Sequence, residues 1–243
     1  MKTSEWYVDW FNSPYYHLLY NNRNDAEAQV FINHLCEFLS LRAHEKVWDL
    51  ACGKGRHALV LKQNHLQVTG TDLSSNNISE ALKSADDDLR FYVHDMRTPF
   101  KENYFDAVFN LFTSIGYFEN PTDNFTVFSH VHTALKKDGY FIIDFFNAAK
   151  VLASMQPAYT EVRGDLMFRI HKKTANNKIV KRIEFTDGTH ARHFEESVSL
   201  LRKSDFDSFA RKSGFTLVHE FGDYHLSAFD EEQSDRLILI YKK

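Results

Sequence analysis

The chain is short of the residues that staple, hinge or anchor a protein. Only two of its 243 residues are cysteine, Cys36 and Cys52. That is too few for a disulfide framework or a Cys-based metal centre, so both are expected to be reduced and no metal is expected. Four prolines are spread thinly, and no Pro/Gly/Ser-rich tract, repeat or low-complexity segment occurs, which argues against two domains on a flexible tether. Basic charge is not in excess: 29 Lys and Arg stand against 33 Asp and Glu, a formal charge of -4. An electropositive nucleic-acid footprint is therefore not expected. No apolar run approaches the roughly 18 residues of a membrane span, and the N-terminus leads into Trp6 and Asp9 rather than an apolar secretory stretch. A cytoplasmic location and no membrane partner are expected.

What is present in quantity is aromatic. Phe, Tyr and Trp make up 15% of the chain, enough for a core and for a ring-lined pocket besides. Hydrophobic content of 43% and charged content of 26% are those of an ordinary globular protein. A chain of this size buries about 70% of its unfolded surface, so a core forms without staples.

From residue 45 to 145 short β-rich runs alternate with longer amphipathic ones, the rhythm of βαβ units and a parallel sheet. The runs are 46–51, 66–71, 89–94, 104–111 and 140–146. The first ends in Cys52-Gly53-Lys54-Gly55 and passes into a helical pattern. The second ends at Asp72, with Ser74 or Ser75 placed to cap the helix carrying Ile78, Ala81 and Leu82. The third ends at Asp95. Lys136, Lys137 and Gly139 read as a helix C-terminus. Beyond residue 150, the segments 164–174, 178–186 and 190–199 are separated by Asn176-Asn177 and Asp187-Gly188, which predicts a three-stranded antiparallel meander. A helix over 205–213 and strands over 216–221 and 236–241 close the chain. Ahead of the first strand lie an aromatic stretch over 6–20 and a helix over 25–41 with Ala26, Val30, Ile32, Leu35 and Phe38 inward.

Ligands of open α/β sheets bind at the carboxyl ends of the strands, where these glycines and acids fall. Gly53 and Gly55 permit a tight turn and close backbone approach beside a helix N-terminus. Asp72 is placed to accept ribose hydroxyls, and Asp95 to accept an exocyclic adenine amine. The outline is that of an adenosine-shaped ligand. Arg56 stands where a dinucleotide fingerprint needs a small residue, which disfavours NAD, and no P-loop pattern occurs.

The run Asp49-Leu50-Ala51-Cys52-Gly53-Lys54-Gly55 resembles the glycine motif of class I S-adenosylmethionine-dependent methyltransferases, with Ala51 in place of the first glycine. The likeness continues through Asp72-Leu73-Ser74, His94-Asp95-Met96, Asn110-Leu111 and Leu135-Lys136-Lys137-Asp138-Gly139-Tyr140. It implies a Rossmann-like seven-stranded α/β sheet of order 3-2-1-4-5-7-6 with strand 7 antiparallel, carrying the three-stranded insert after strand 5 and an N-terminal helical cap. The chain then divides into a cap (1–44), a cofactor-binding core (45–150), an insert acting as a lid (151–200) and a C-terminal part that completes the core (201–243). The resemblance also implies S-adenosylmethionine as cofactor and S-adenosylhomocysteine as product. The backbone from Ala51 through Cys52 and Gly53 to Gly55 would lie beside the methionine portion, Asp72 on the ribose and Asp95 on the adenine. Leu73 and Met96 would touch the adenine faces, and Asn110 and Leu111 would lie near the sulfonium.

Thr113-Ser114-Ile115-Gly116-Tyr117 is similar to a loop of small-molecule N-methyltransferases acting on amino sugars or glycine. That likeness implies donor contacts from Tyr16 or Tyr20, a carboxylate contact from Arg23, and Tyr117 as the residue that orients an amine or takes its proton. The leading reading is methyl transfer to a small-molecule amine by in-line displacement. O-methylation, for which His57, His130 or His132 would be the first bases to examine, is an alternative. So are a macromolecular methyltransferase acting on RNA or protein and a non-catalytic cofactor-binding protein. The basic residues Arg163, Arg169, His171, Lys172 and Arg192 suit an anionic substrate or simply guard exposed strand edges. A homodimer is compatible with the sequence, which does not fix the oligomeric state.

Overall fold

The computed structural model describes residues 5–20 and 25–243. Three helices precede the first strand: Trp6–Phe11 (α1), Pro14–Leu19 (α2) and Asp25–Phe38 (α3). The short break between α1 and α2 is set by Ser13, whose hydroxyl accepts the Tyr15 amide, and by Pro14 at the first helical position. Then follow Lys46–Leu50 (β1), Arg56–Gln63 (α4), Gln67–Asp72 (β2), Ser75–Ala81 (α5), Leu89–Val93 (β3), Phe105–Asn110 (β4), Thr122–Ala134 (α6) and Leu135–Phe146 (β5). Ser74 is the cap of α5, its hydroxyl accepting the Asn77 amide at 3.1 Å.

After Ala148–Ser154 (α7) come Ala158–Arg163 (β6), Leu166–Ala175 (β7), Lys178–Asp187 (β8) and His190–Ser199 (β9). Lys203–Ser213 (α8), Thr216–Phe221 (β10) and Arg236–Lys242 (β11) complete the chain. The main sheet runs β3-β2-β1-β4-β5-β11-β10, which is 3-2-1-4-5-7-6 when β10 and β11 count as strands 6 and 7. The last core strand, β11, is antiparallel to β5, with Ile238 opposite Asp144. Strand order reverses between β1 and β4, and this switch point opens a crevice at the strands' carboxyl ends.

Both faces of the central strands are covered, which is why they read as nearly unbroken apolar runs. On one face Phe31, Ile32, Leu35 and Leu61 pack over Val47, Val68 and Phe109. On the other, Phe128, Val131, Phe206 and Phe215 pack around Trp48, Phe141 and Phe145. A third cluster joins α1 and α2 to the second sheet through Trp10, Leu19, Phe168, Ile170, Ile183 and Phe185.

Four expectations change. The insert has four antiparallel strands, not three, because β6 pairs with β7 along its length, Thr160 facing Arg169. As an edge strand it buries only alternate residues in part, so it lacks the apolar signal of its neighbours. In α3 the inward stripe is Ala28, Phe31, Ile32, Leu35 and Cys36, whereas Ala26, Val30 and Phe38 are exposed. Phe38 meets His219 and Phe221 edge-on at the surface instead. Helix α6 ends at Ala134, so Lys136 lies in β5, where its ammonium pairs with Asp106 at 2.8 Å. Leu82, expected on α5, lies past its end and is exposed.

Candidate active site

The turn after β1 is left-handed three times in five residues, at Ala51 (φ +64°), Gly53 (φ +57°) and Gly55 (φ +86°). At Gly53 an added Cβ would meet nothing within 4 Å, so the backbone conformation alone calls for glycine. Gly55 differs: a Cβ there would stand 2.7 Å from the Phe91 ring, so this glycine lets α4 approach the sheet. The turn runs along one wall of a cavity of about 380 Å³. Leu50, Ala51, Cys52, Gly53 and Lys54 form that wall. Burial and the neighbouring Asp49 and Asp72 charges push the Cys52 thiol up, so it is an inert filler rather than a nucleophile.

Asp72 and Asp95 also line the cavity, with Leu73 and Met96 beside them. Asp72 accepts the Gly53 amide at 2.9 Å and the Ser74 amide at 2.8 Å, which holds the strand-end carboxyl against the glycine turn. Burial pushes its pKa up, against those amide bonds. Burial acts in the same direction on Asp95, but Arg97 outweighs it and holds that carboxyl below its usual range. Arg97 donates to Asp95 at 2.6 Å and to Glu5 at 2.8 and 2.9 Å, tying the start of α1 to the rim.

Asp49, which opens the glycine motif, and Asn110, expected near the sulfonium, lie beneath the cavity rather than in its wall. Asp49 is 1% exposed, and burial pushes its carboxyl up to about 7, against the amide of Ala58. Asn110 is fully buried and spends its amide on the Leu50 carbonyl at 3.0 Å, tying β4 to β1. Its side chain therefore acts as a brace, and Leu111 is the residue of that pair that reaches the cavity. Gly55 is likewise absent from the lining. Arg23 lies outside the described residues.

The opposite wall comes from α1 and α2. Tyr7, Val8, Phe11, Asn12, Tyr16, His17 and Tyr20 line it, and none of the lining comes from the four-stranded sheet. That sheet props the helices from behind. Glu196 accepts from Trp10 Nε1 at 2.7 Å and from the Tyr20 hydroxyl at 2.7 Å, while Lys181 lies 3.5 Å away as its ion partner. Arg56, His57, His94, Phe112, Ser114, Tyr117 and Phe118 complete the cavity. Tyr117 packs edge-on against Trp6 and Phe11 and donates its hydroxyl to the Thr113 carbonyl. His130 and His132 do not line the cavity. Sequence reasoning missed Asn77, Phe112 and the α1 residues. The aromatic density of 6–20 was the only signal for the last group.

Three buried oxygens near the turn, Asp49 Oδ2, Asn77 Oδ1 and Asn110 Oδ1, have no hydrogen-bond donor. Of these only Asn77 belongs to the cavity lining, and an unpaired acceptor there suits a ligand that brings hydrogen-bond donors. S-adenosylmethionine, with its ammonium, sulfonium, ribose diol and adenine amine, fits that donor set. Among the described residues no cluster could hold a metal ion, and no helix is long and apolar enough to cross a membrane.

The strand order and the position of the cavity are those of the class I methyltransferase fold. A solved S-adenosylmethionine-dependent methyltransferase from Clostridium acetobutylicum superposes with a TM-score of 0.78 at 19% identity, covering 94% of this chain and 95% of that one. Residues 48–143 match the family described as a methyltransferase domain. A putative methyltransferase of Geobacillus sp. strain WCH70 is 22% identical over 240 residues, spanning 94% of this chain and 97% of the relative. Glycine/sarcosine N-methyltransferase of Parasynechococcus marenigrum is 25% identical over 231 residues, spanning 90% and 78%. Residues 48–143 are thus similar to a methyltransferase domain, and the chain shares the fold of S-adenosylmethionine-dependent methyltransferases.

Proposed function

We propose that this enzyme transfers the methyl group to a small-molecule amine, with Asp72 and Asp95 holding the nucleoside of the donor and Tyr117 orienting the acceptor. The observation that carries this reading is the ring-lined wall of α1 and α2 facing the strand-end acids across a single cavity of about 380 Å³. Such a volume suits a small ligand, and aromatic rings exclude water from it.

The bound cofactor would supply a methyl carbon already activated by a sulfonium. The protein then has to position the acceptor, exclude water and receive a proton. Tyr117 has one hydroxyl hydrogen and gives it to Thr113, so toward a substrate its oxygen acts as an acceptor. A primary or secondary amine donates an N–H to that oxygen and keeps its lone pair for attack. The likeness to glycine/sarcosine N-methyltransferase supports an amine. Arg56, Lys54 and His57 on the cavity wall favour an acceptor or donor carboxylate near the mouth. Ala51, Cys52 and Gly53 would lie along the methionine portion, with Leu73 and Met96 against the adenine. Tyr16, Tyr20 and Leu111 would close the space around the reacting centre, and the four-stranded sheet would serve the lid function through α1 and α2.

The test is product formation from a panel of primary, secondary and tertiary amines, hydroxy acids and phenols with isotopically labelled S-adenosylmethionine. Label transfer to primary or secondary amines is expected. Transfer only to hydroxyl compounds would replace the amine reading by O-methylation, and cofactor binding without any transfer would favour a non-catalytic role.

A further inference from the structure

Behind the loop that follows β4 lies a buried charge pair that the chemistry above does not use. Asp144, near the end of β5, accepts the Arg236 Nε–H at 2.7 Å, and the carboxylate is 1% exposed. Its other oxygen accepts the Phe112 amide at 2.8 Å and the Tyr224 hydroxyl at 3.2 Å. Arg236, the first residue of β11, also donates from Nη2 to the Thr113 hydroxyl at 3.1 Å. The Thr113 amide donates to the Asp144 carbonyl at 2.9 Å. Asp144, Arg236 and Tyr224 are absent from the cavity wall, whereas Phe112, Ser114 and Tyr117 form part of it.

The loop they grip is strained. Phe112 and Thr113 both sit at φ +60°, two successive non-glycine residues in the left-handed region. Each such residue costs about 1–2 kcal/mol, and the conformation persists only where its surroundings over-determine it. Here the surroundings are identifiable. Both amides of the strained pair are tied to Asp144, the Thr113 hydroxyl is tied to Arg236, and the Phe112 ring has the Arg56 and Arg236 guanidinium groups within 6 Å of its centre, at 5.5 and 5.7 Å. A buried ion pair is a poor device for stability alone, since apolar residues of the same shape often serve as well. It is a good device for geometry, because a guanidinium fork and a carboxylate fix directions as well as distances. The Thr113 carbonyl thus fixed is the group that receives the Tyr117 hydroxyl.

We propose that Asp144 and Arg236 are positioning residues that act through Thr113 to fix the Tyr117 phenol in the cavity. Its consequence for rate rests on the small-molecule methyl-transfer reading, but the positioning itself does not. Loosening the pair lets the Phe112–Thr113 backbone relax, and the phenol then moves relative to the turn after β1 while the donor-binding groups stay in place.

The experiment places 3-fluorotyrosine at position 117 of the full chain and records its fluorine resonance in the parent, Arg236→Lys, Thr113→Val and Asp144→Asn proteins. Lys136→Ala, which breaks the distant pair with Asp106, controls for destabilisation alone. The resonance is expected to shift or broaden in Arg236→Lys and Thr113→Val and to stay put in Lys136→Ala. S-adenosylhomocysteine affinity should stay within about twofold of the parent in all three. With an amine found in the panel above, kcat is expected to fall about tenfold or more with KM little changed, the pattern of a misplaced group rather than a lost binding contact. Folded Arg236→Lys and Thr113→Val proteins with the parent resonance would overturn the proposal, and they decide it even where Asp144→Asn fails to fold. A parent protein that binds no S-adenosylhomocysteine would refute the methyl-transfer reading and leave the resonance test standing.

Discussion

One wall of the cavity is made of backbone and the other of side chains. Around the turn after β1, amides, left-handed residues and two strand-end carboxyls do the work, and residues 48–143 match a widely shared domain. Across from them, α1 and α2 present aromatic rings, of which Tyr7 packs into the main-sheet core while Trp10 and Tyr20 are held by the four-stranded sheet. A wall of backbone tolerates sequence change as long as its glycines and acids remain, so it suits a cofactor common to many enzymes. A wall of side chains changes with every substitution, which is where selectivity for one acceptor belongs.

The largest effect separating the two walls is expected at Asp49. Its carboxyl titrates at about 7 in the folded chain, well above an unfolded Asp, so the folded state keeps a proton that the unfolded chain has released. Stability of the cofactor-free protein should therefore be greatest below about pH 4 as far as this group is concerned, and be lost as pH rises to about 7. The slope approaches about 1.4 kcal/mol per pH unit within that window. Asp49→Asn should flatten the slope by that share in denaturant titrations run across the same range, leaving the part due to Asp72. An unchanged slope would place the carboxyl in a more polar setting than the one described.

On the other wall, Glu196→Ala leaves the buried Lys181 ammonium without its ion partner and removes the acceptor of Trp10 Nε1 and of the Tyr20 hydroxyl. A cost of about 3 kcal/mol in unfolding free energy is expected. S-adenosylhomocysteine affinity should change less than acceptor KM, and equal losses in both would mean that the two walls are not separable. Gly55→Ala, which drives a Cβ into the Phe91 ring, should cost about 2 kcal/mol, visible as a lowered Tm. Asp72→Ala should weaken S-adenosylhomocysteine at least about tenfold, or about 1.4 kcal/mol, with the fold intact by circular dichroism. Unchanged affinity would show that the ribose is held elsewhere.

The two walls were also unequally legible. Gly53, Asp72 and Asp95 announce themselves because each must follow a strand at a fixed offset, and strand ends are marked by the apolar runs before them. Asp49 and Asn110 occupy the right positions in that pattern, yet the fold turns them beneath the cavity. There they brace α4 and β1. Asp144, Arg236 and Tyr224 left no local trace, since an ion pair formed between β5 and β11 has no sequence spacing to read. The edge strand β6 was invisible for a different reason: its half-buried residues are Tyr159, Glu161 and Arg163, two of them charged, while Val162 faces out. The role of α1 and α2 as a wall depends on how the four-stranded sheet packs behind them, a contact between segments more than 150 residues apart in the chain, as in the bond from Trp10 to Glu196.

The most direct test of the account is calorimetric titration of the purified protein with S-adenosylmethionine and S-adenosylhomocysteine, with NAD and ATP as controls. Micromolar binding of the first two and none of the controls is the predicted result. No binding of either, or equal binding of NAD or ATP, would contradict the assignment of the strand-end cavity to this cofactor.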